Sequence, residues 1–187
     1  LGPVEGFDID VDRIADRIGP DVAAVLINVP NNPTGRIYSE STIKALGEML
    51  DERSKAVGRR IYLVSDEPYR EIVYDGASVP SVFSHYEHSI VVSSYSKTLS
   101  IPGARIGWIA VDPRAEDADT LLDAMILCTR TLGFVNAPAL MQRTVARLAD
   151  VAVDIEPYRK RRELLCDGLL DIGYDIERPE GTFYCFP

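Results

Sequence analysis

The chain alternates between short apolar runs and longer amphipathic stretches. Runs rich in Val, Ile and Leu, with polar residues at their ends, predict four strands at 22–28, 59–65, 89–92 and 105–111. The first run contains no polar residue before Asn28, which is typical of a parallel strand buried on both faces. A helix between two such strands makes a right-handed βαβ unit, so the pattern predicts an α/β fold with a mostly parallel sheet.

The clearest helix is predicted between the first two strands, where Ser39 can cap its start and Gly58 can end it. Its apolar residues recur at helical spacing and form one stripe, made by Ile43, Leu46, Met49, Leu50 and Val57. Other helices are predicted within 7–19 and at 115–131, 137–148 and 154–170. Two short strands are predicted near the end of the chain, at 174–177 and 182–186.

Three chemically interesting residues follow the predicted strands. Asn32, Asp66 and Lys97 each come just after the carboxyl end of a strand, where α/β sheets gather their ligands. Lys97 is surrounded by hydroxyl residues, and Arg105 follows eight residues later. Hydroxyls and a guanidinium suit a phosphate, and a lysine amine can react with an aldehyde. The stretch therefore favours a site for a phosphorylated aldehyde.

Three motifs together resemble the class I/II aminotransferases, the aspartate-aminotransferase-like enzymes of PLP fold type I. They are Asn31-Asn32-Pro33-Thr34-Gly35, Asp66-Glu67-Pro68-Tyr69, and Ser94-Tyr95-Ser96-Lys97 with Arg105. The similarity runs along nearly the whole chain. It implies a three-layer α/β sandwich, with a partial PLP-binding large domain at 1–170 and the start of a C-terminal small domain at 171–187. On this interpretation we expect the chain to be a fragment.

The resemblance also implies roles for individual residues. Lys97 would form a Schiff base with pyridoxal 5′-phosphate and act as the base that moves the α-proton. Asp66 would pair with the pyridine nitrogen of the cofactor, while Tyr69 and Asn32 would approach its O3′ oxygen. The phosphate would be bound by the matching positions Ser94, Ser96 and Arg105. Simpler roles stay open for some of them: Asp66 as a helix cap, Tyr69 as a packed aromatic residue and Asn32 as a turn former.

The implied activity is amino-group transfer between an amino acid and a 2-oxo acid, in a homodimer. A PLP-dependent C–S lyase or decarboxylase could use the same lysine, and a ligand-sensing domain of a transcription regulator could keep the same residues. Ser94-Tyr95-Ser96-Lys97 also fits the S-x-x-K motif of penicillin-recognising serine enzymes, but the S-D-N and K-T-G strings that accompany it do not occur.

Composition and net charge limit the class of protein and the partners that we expect. With 187 residues, 46% apolar and 26% charged, the chain has the composition of a globular protein with a single core. Its net charge of −9 argues against a nucleic-acid partner. Neither a membrane-spanning apolar run nor a signal-like start occurs, so we expect a cytoplasmic protein without a membrane partner.

Cysteine and histidine usage gives no sign of a metal site. Cys128, Cys166 and Cys185 are widely spaced and form no C-x-x-C motif, so buried, reduced thiols are predicted. His85 and His88 form an H-x-x-H pair without a third ligand nearby, and no metal is predicted there.

Overall fold

The computed structural model describes residues 5–148 and 151–187, which are built around a four-stranded sheet. The strands are β1 (Ala24–Asn28), β2 (Tyr62–Asp66), β3 (Ser89–Ser94) and β4 (Gly107–Val111), and they lie side by side in chain order. The first three are parallel, and β4 is antiparallel to β3. The predicted α/β class with a mostly parallel sheet is confirmed.

Within the residues that the structure describes, six helices connect or flank the strands. They are α1 (Val11–Ala15), α2 (Glu40–Val57), α3 (Tyr95–Thr98), α4 (Ala118–Thr131), α5 (Ala139–Val145) and α6 (Glu156–Asp171). Short 3-10 turns occur at Glu5–Phe7, Val82–Ser84 and Pro102–Ala104. Within the described ranges, none of these helices combines the length and the apolar character that crossing a membrane requires.

Helix α2 forms as its sequence predicts. The Ser39 side chain accepts a hydrogen bond from the Thr42 N–H, and Gly58 ends the helix in the left-handed conformation. The apolar stripe supplies Ile43, Leu46 and Leu50, which are almost completely buried. They belong to one core cluster with residues from the adjacent sheet face, among them Ile27, Leu63 and Val91. This core fixes the strands whose ends form the candidate site.

The other face of the sheet differs from the sequence prediction. Leu26, which points away from the α2 core, is 68% exposed, so β1 is not buried on both faces within the described structure. Ile109 of β4 is also exposed. The apolar run predicted the strand correctly. Whether a second layer covers a strand depends on tertiary packing, which the run itself does not encode.

Several helices and strands are shorter than the sequence predicts. Strand β4 begins at Gly107 because Pro102–Ala104 form a 3-10 turn and Arg105 adopts a left-handed conformation with φ of 50°. Helix α4 begins at Ala118 rather than at residue 115, and α5 is confined to Ala139–Val145 after Pro138. Cys128 on α4 is exposed and Cys185 is half-buried, so the prediction of buried thiols holds only for Cys166.

The strands predicted at 174–177 and 182–186 are absent from the described structure. A strand requires a neighbouring strand to complete its hydrogen-bond ladder, and here only an isolated bridge forms, between Val73 and Gly181. Backbone hydrogen bonds to two other parts of the chain hold the segment at 180–182 in place instead. The carbonyl of Gly35 accepts hydrogen bonds from the backbone N–H groups of Glu180 and Gly181, and the Thr182 N–H donates to Ile72.

Candidate active site

Strand register brings the predicted site residues to one edge of the sheet. Asn28 at the end of β1 pairs with Asp66 at the end of β2, and Asp66 pairs with Val92 of β3. Helix α3, which carries Lys97, begins immediately after β3. Parallel strands present their carboxyl ends at the same edge, so residues separated by more than 60 positions in the sequence come together there.

Asp66 is held by an amide that the sequence interpretation did not single out. The Asn28 Nδ2 donates to the Asp66 carboxylate at 3.1 Å and to the Asp66 backbone carbonyl at 3.0 Å. The Asn28 Oδ1 accepts the backbone N–H of Asn32 at 2.7 Å. Asn28 therefore links Asp66 to the turn that carries Asn32.

The environment of Asp66 acts on its charge in two opposing ways. Partial burial raises the pKa of the Asp66 carboxyl above its ordinary value, because the charged form loses hydration. The hydrogen bond from Asn28 lowers the pKa, because it stabilises the carboxylate. Burial is the larger of the two effects. A cation next to Asp66 would oppose this rise, because it favours the ionised form of the carboxyl.

Tyr69 lies in an aromatic cluster and is only 3% exposed. Its hydroxyl lies 3.0 Å from the Tyr184 hydroxyl, and its ring meets those of Phe183 and Tyr184 edge-on. Burial, followed by the hydrogen bond with Tyr184 and the charge of Asp66, raises the pKa of the Tyr69 phenol. Tyr69 therefore remains protonated at neutral pH and can serve as a hydrogen-bond donor.

Lys97 lies beside this cluster. Its Nζ is 5.8 Å from the centre of the Tyr69 ring and 5.4 Å from that of Phe183, which is within the range of cation–π contacts. Lys97 is half-buried as a residue. The structure thus brings Lys97 and Tyr69 into one site with Asp66, whose charge acts on the Tyr69 phenol.

The residues predicted to bind phosphate lie near the start of α3. The Ser94 side chain caps this helix and accepts a hydrogen bond from the Ser96 N–H at 3.4 Å. Arg105 stands two residues before Gly107, the β4 residue that pairs with Ser94. The Arg105 guanidinium is exposed and donates to the Pro102 carbonyl at 2.8 Å. Ser94 and Ser96 are therefore adjacent, whereas Arg105 is bonded to its own turn.

The sequence motifs did not identify three residues of the site, which are Asn28, Phe183 and Tyr184. A polar residue that ends an apolar strand directly before the Asn31–Gly35 turn was a usable signal for Asn28. Phe183 and Tyr184 stand more than 80 residues after Lys97, and nothing in their local sequence indicates that contact. Only folding of the C-terminal segment onto the Gly35 loop brings them to Tyr69.

Comparison with known proteins identifies the same group of enzymes. The family "Aminotransferase class I and II" matches residues 2–187. A Thermus aquaticus protein named as a probable aspartate/prephenate aminotransferase is 38% identical over 185 residues, which are 97% of this chain and 46% of that protein. The aspartate/prephenate aminotransferase of Thermus thermophilus is 32% identical over 97% of this chain and 46% of its own length.

Solved structures agree with the sequence relatives. The crystal structure of an aminotransferase from Eubacterium rectale superposes with a TM-score of 0.93 at 44% identity, covering 96% of this chain and 46% of that one. The chain spans about half the length of the curated relatives it matches. With a family match over almost its entire length, the chain belongs to the class I and II aminotransferase family.

Proposed function

We propose that the whole protein is a pyridoxal 5′-phosphate-dependent aminotransferase, which moves an amino group between an amino acid and a 2-oxo acid. The observation that carries this proposal is the position of the Lys97 amine beside Tyr69 and Phe183. Asp66 ends the strand next to the one that leads into Lys97. An amine, a phenol and a carboxylate at the same sheet edge are the groups that an aldehyde-bearing pyridine ring requires.

The chemistry of the donors fits the cofactor. Lys97 supplies an amine for the aldehyde carbon, and Asp66 supplies a carboxylate for a protonated pyridine nitrogen. Tyr69 is a protonated phenol suited to the O3′ oxygen, and Asn32 stands on the turn that Asn28 links to Asp66. Ser94, Ser96 and Arg105 supply hydroxyl and guanidinium donors for a phosphate. We propose these seven residues as the binding set.

Each residue then has a defined task. Pyridoxal phosphate, when bound, supplies a ring that accepts electrons from the broken Cα–H bond. The Lys97 Nζ would take the proton from the substrate Cα and pass it on, as the base that moves the α-proton. Asp66 would keep a proton on the ring nitrogen, and the Asn28 amide would hold the Asp66 carboxylate in place. The Tyr69 phenol would donate a hydrogen bond beside the reacting carbon.

We further propose that residues 1–170 form most of a PLP-binding large domain and that 171–187 open a second, smaller domain. The whole protein would act as a homodimer in the cytoplasm, on an amino acid and a 2-oxo acid. Support comes from the family membership, since these are the properties that the resemblance implies.

The first test is trapping of the cofactor with borohydride. The whole protein is incubated with pyridoxal phosphate, reduced, digested and analysed by mass spectrometry. We expect one pyridoxyl adduct, on Lys97. Lys97→Arg should lose both the adduct and the transfer of an amino group to a 2-oxo acid. Lys160→Arg, which changes an exposed lysine of α6, should retain both.

Four outcomes would contradict the proposal. An adduct on another lysine, or full activity of Lys97→Arg, would remove Lys97 from the chemistry. Release of CO₂ or of a thiol in place of amino transfer would assign the protein to the decarboxylases or C–S lyases. An adduct without any turnover of amino acids would favour the ligand-sensing alternative.

A further inference from the structure

Cys166 and Cys185 form a close thiol pair beside the candidate active site. Their Sγ atoms lie 4.0 Å apart, although the two residues belong to different parts of the chain. Cys166 is fully buried on α6, and Cys185 is half-buried in the segment that follows Thr182. Within the described residues both are free thiols, and the exposed Cys128 is not part of the pair.

We propose that Cys166 and Cys185 are a modification site, at which a small-molecule disulfide oxidises the two thiols to a reversible intramolecular bridge. A disulfide has an S–S length of about 2 Å, so the sulfur atoms need to approach by about 2 Å. A side-chain rotation of either cysteine can supply a movement of this size. This proposal goes beyond the aminotransferase function and does not depend on it.

Space for the movement exists next to the pair. A cavity of about 280 Å³ is lined by Cys185 together with Tyr158, Leu165, Phe183 and Tyr184. Cys185 therefore borders open volume, and its sulfur lies 4.0 Å from that of Cys166. A small disulfide can reach Cys185 first, because Cys166 is completely buried.

The bridge would fasten the segment that completes the aromatic cluster. Cys185 directly follows Phe183 and Tyr184, whose rings contact Tyr69, and Phe183 also lies near the Lys97 amine. Joining Cys185 to α6 would close a loop of about 20 residues and restrict the movement of this segment. Oxidation would thereby fix one wall of the candidate site.

The bridge forms in two steps of thiol–disulfide exchange. The Cys185 thiolate attacks the external disulfide, forming a mixed disulfide and releasing one small thiol. The Cys166 thiolate then attacks the Cys185 sulfur, which forms the internal bridge and releases the second small thiol. The protein loses two electrons and two protons, and the external disulfide is reduced to two thiols. Reduced dithiothreitol would reverse both steps.

The raised pKa of the Cys185 thiol slows its oxidation. Burial, with a smaller contribution from Cys166, raises the pKa of the Cys185 thiol to about 11. The reactive thiolate is therefore scarce at neutral pH. We expect the thiols to persist in a reducing buffer and to bridge when oxidised glutathione is in excess.

The test is a redox titration of the whole protein with reduced and oxidised glutathione. Remaining thiols are alkylated, and the protein is cleaved after glutamate, because cleavage at Glu180 separates the two cysteines. Trypsin is unsuitable, because the basic residue between them, Arg178, is followed by Pro179. We expect a linked peptide pair lacking two hydrogen atoms relative to the thiols. Cys128→Ser should retain the linked pair, and Cys185→Ser should lose it completely.

Hydrogen exchange measures the consequence for the segment. Amide exchange at 182–186 should be severalfold slower in the bridged protein than in the reduced protein, and Cys185→Ser should show no difference between the two buffers. The proposal is overturned if Cys128 becomes glutathionylated while Cys166 and Cys185 stay unlinked. It is equally overturned if Cys185 pairs with Cys128, or if a mixed disulfide at Cys185 persists unresolved. If amide exchange is unchanged in the bridged protein, the bridge does not restrict the segment that forms one wall of the candidate site.

Discussion

The side chain of Asn28 donates a hydrogen bond of 3.1 Å to the carboxylate of Asp66, on the neighbouring parallel strand. The same amide accepts the backbone N–H of Asn32. One residue thus joins the carboxylate proposed to face the pyridine nitrogen to the turn proposed to face the O3′ oxygen. Because Asn28 need not touch the cofactor itself, we regard it as a positioning residue.

Replacing Asn28 should weaken the site through Asp66. Asn28→Ala removes the hydrogen bond that lowers the Asp66 pKa, so this pKa should rise. A lost hydrogen bond to a charged group costs about 1.5 kcal/mol or more, which corresponds to about tenfold weaker cofactor binding. The acidic limb of the activity profile should move to higher pH. Asn28→Asp should have the larger effect, since it adds a like charge.

The measurement is a pair of titrations, one of pyridoxal phosphate binding and one of activity against pH. Asn136→Ala, which changes an exposed asparagine, is the matched control and should leave both curves in place. If Asn28→Ala weakens binding equally at every pH, its role is structural and does not act through the Asp66 charge.

The contact between the hydroxyls of Tyr69 and Tyr184 should have a measurable coupling. Tyr69→Phe and Tyr184→Phe each remove one side of a 3.0 Å hydrogen bond, and the double variant removes both. We expect a coupling free energy of unfolding of about 1 kcal/mol in the cofactor-free protein. Urea denaturation of the four proteins gives this value. Tyr174→Phe, at an exposed tyrosine, should be neutral. Strictly additive effects would argue against the hydrogen bond.

Gly35 and Gly58 offer a matched comparison of backbone strain and steric overlap. Both have φ of 71°, a region that costs alanine about 1–2 kcal/mol. A Cβ at Gly58 meets nothing within 4 Å, whereas one at Gly35 lies 2.8 Å from the Gly181 carbonyl oxygen and overlaps Pro179. Gly35→Ala should therefore lower the free energy of unfolding by about 1–3 kcal/mol more than Gly58→Ala. Equal losses in thermal or urea unfolding would show that the 179–181 segment does not pack on Gly35.

The ion pair between Asp112 and Arg114 predicts a dependence of stability on pH. Asp112 is 2% exposed, and the hydrogen bonds from Arg114 lower the Asp112 pKa below its ordinary value of 3.8. A carboxyl whose pKa is lowered by folding stabilises the protein above its unfolded pKa. That contribution is lost as the pH falls through the folded pKa.

Arg114→Met should accordingly lower the melting temperature at pH 6, and the difference from the wild type should shrink below about pH 4. Thermal unfolding monitored by circular dichroism at both pH values is sufficient. Arg143→Met, at an exposed arginine of α5, is the control and should show no such trend. A deficit that stays constant between pH 6 and pH 3 would mean that packing of the Arg114 stem, and not its charge, stabilises the fold.

Local chemistry in the sequence determined much of this protein. The spacing of Ile43, Leu46 and Leu50, with Ser39 and Gly58 at the ends, specified α2 to within a residue. Apolar runs specified four strands, and the residues after them identified Asn32, Asp66 and Lys97 as site candidates. Helix periodicity, capping and strand propensity act between near neighbours, so a single sequence displays them directly.

Tertiary structure alone decided which distant residues meet. The Tyr69–Tyr184 contact, the packing of Gly35 against Pro179 and the approach of Cys166 to Cys185 join segments whose local sequences hold no record of each other. The strands expected at 174–177 and 182–186 failed for the same reason, since a strand exists only where a partner offers its backbone. Such contacts depend on the whole chain closing around one core, and the free energy that selects them is shared among many residues.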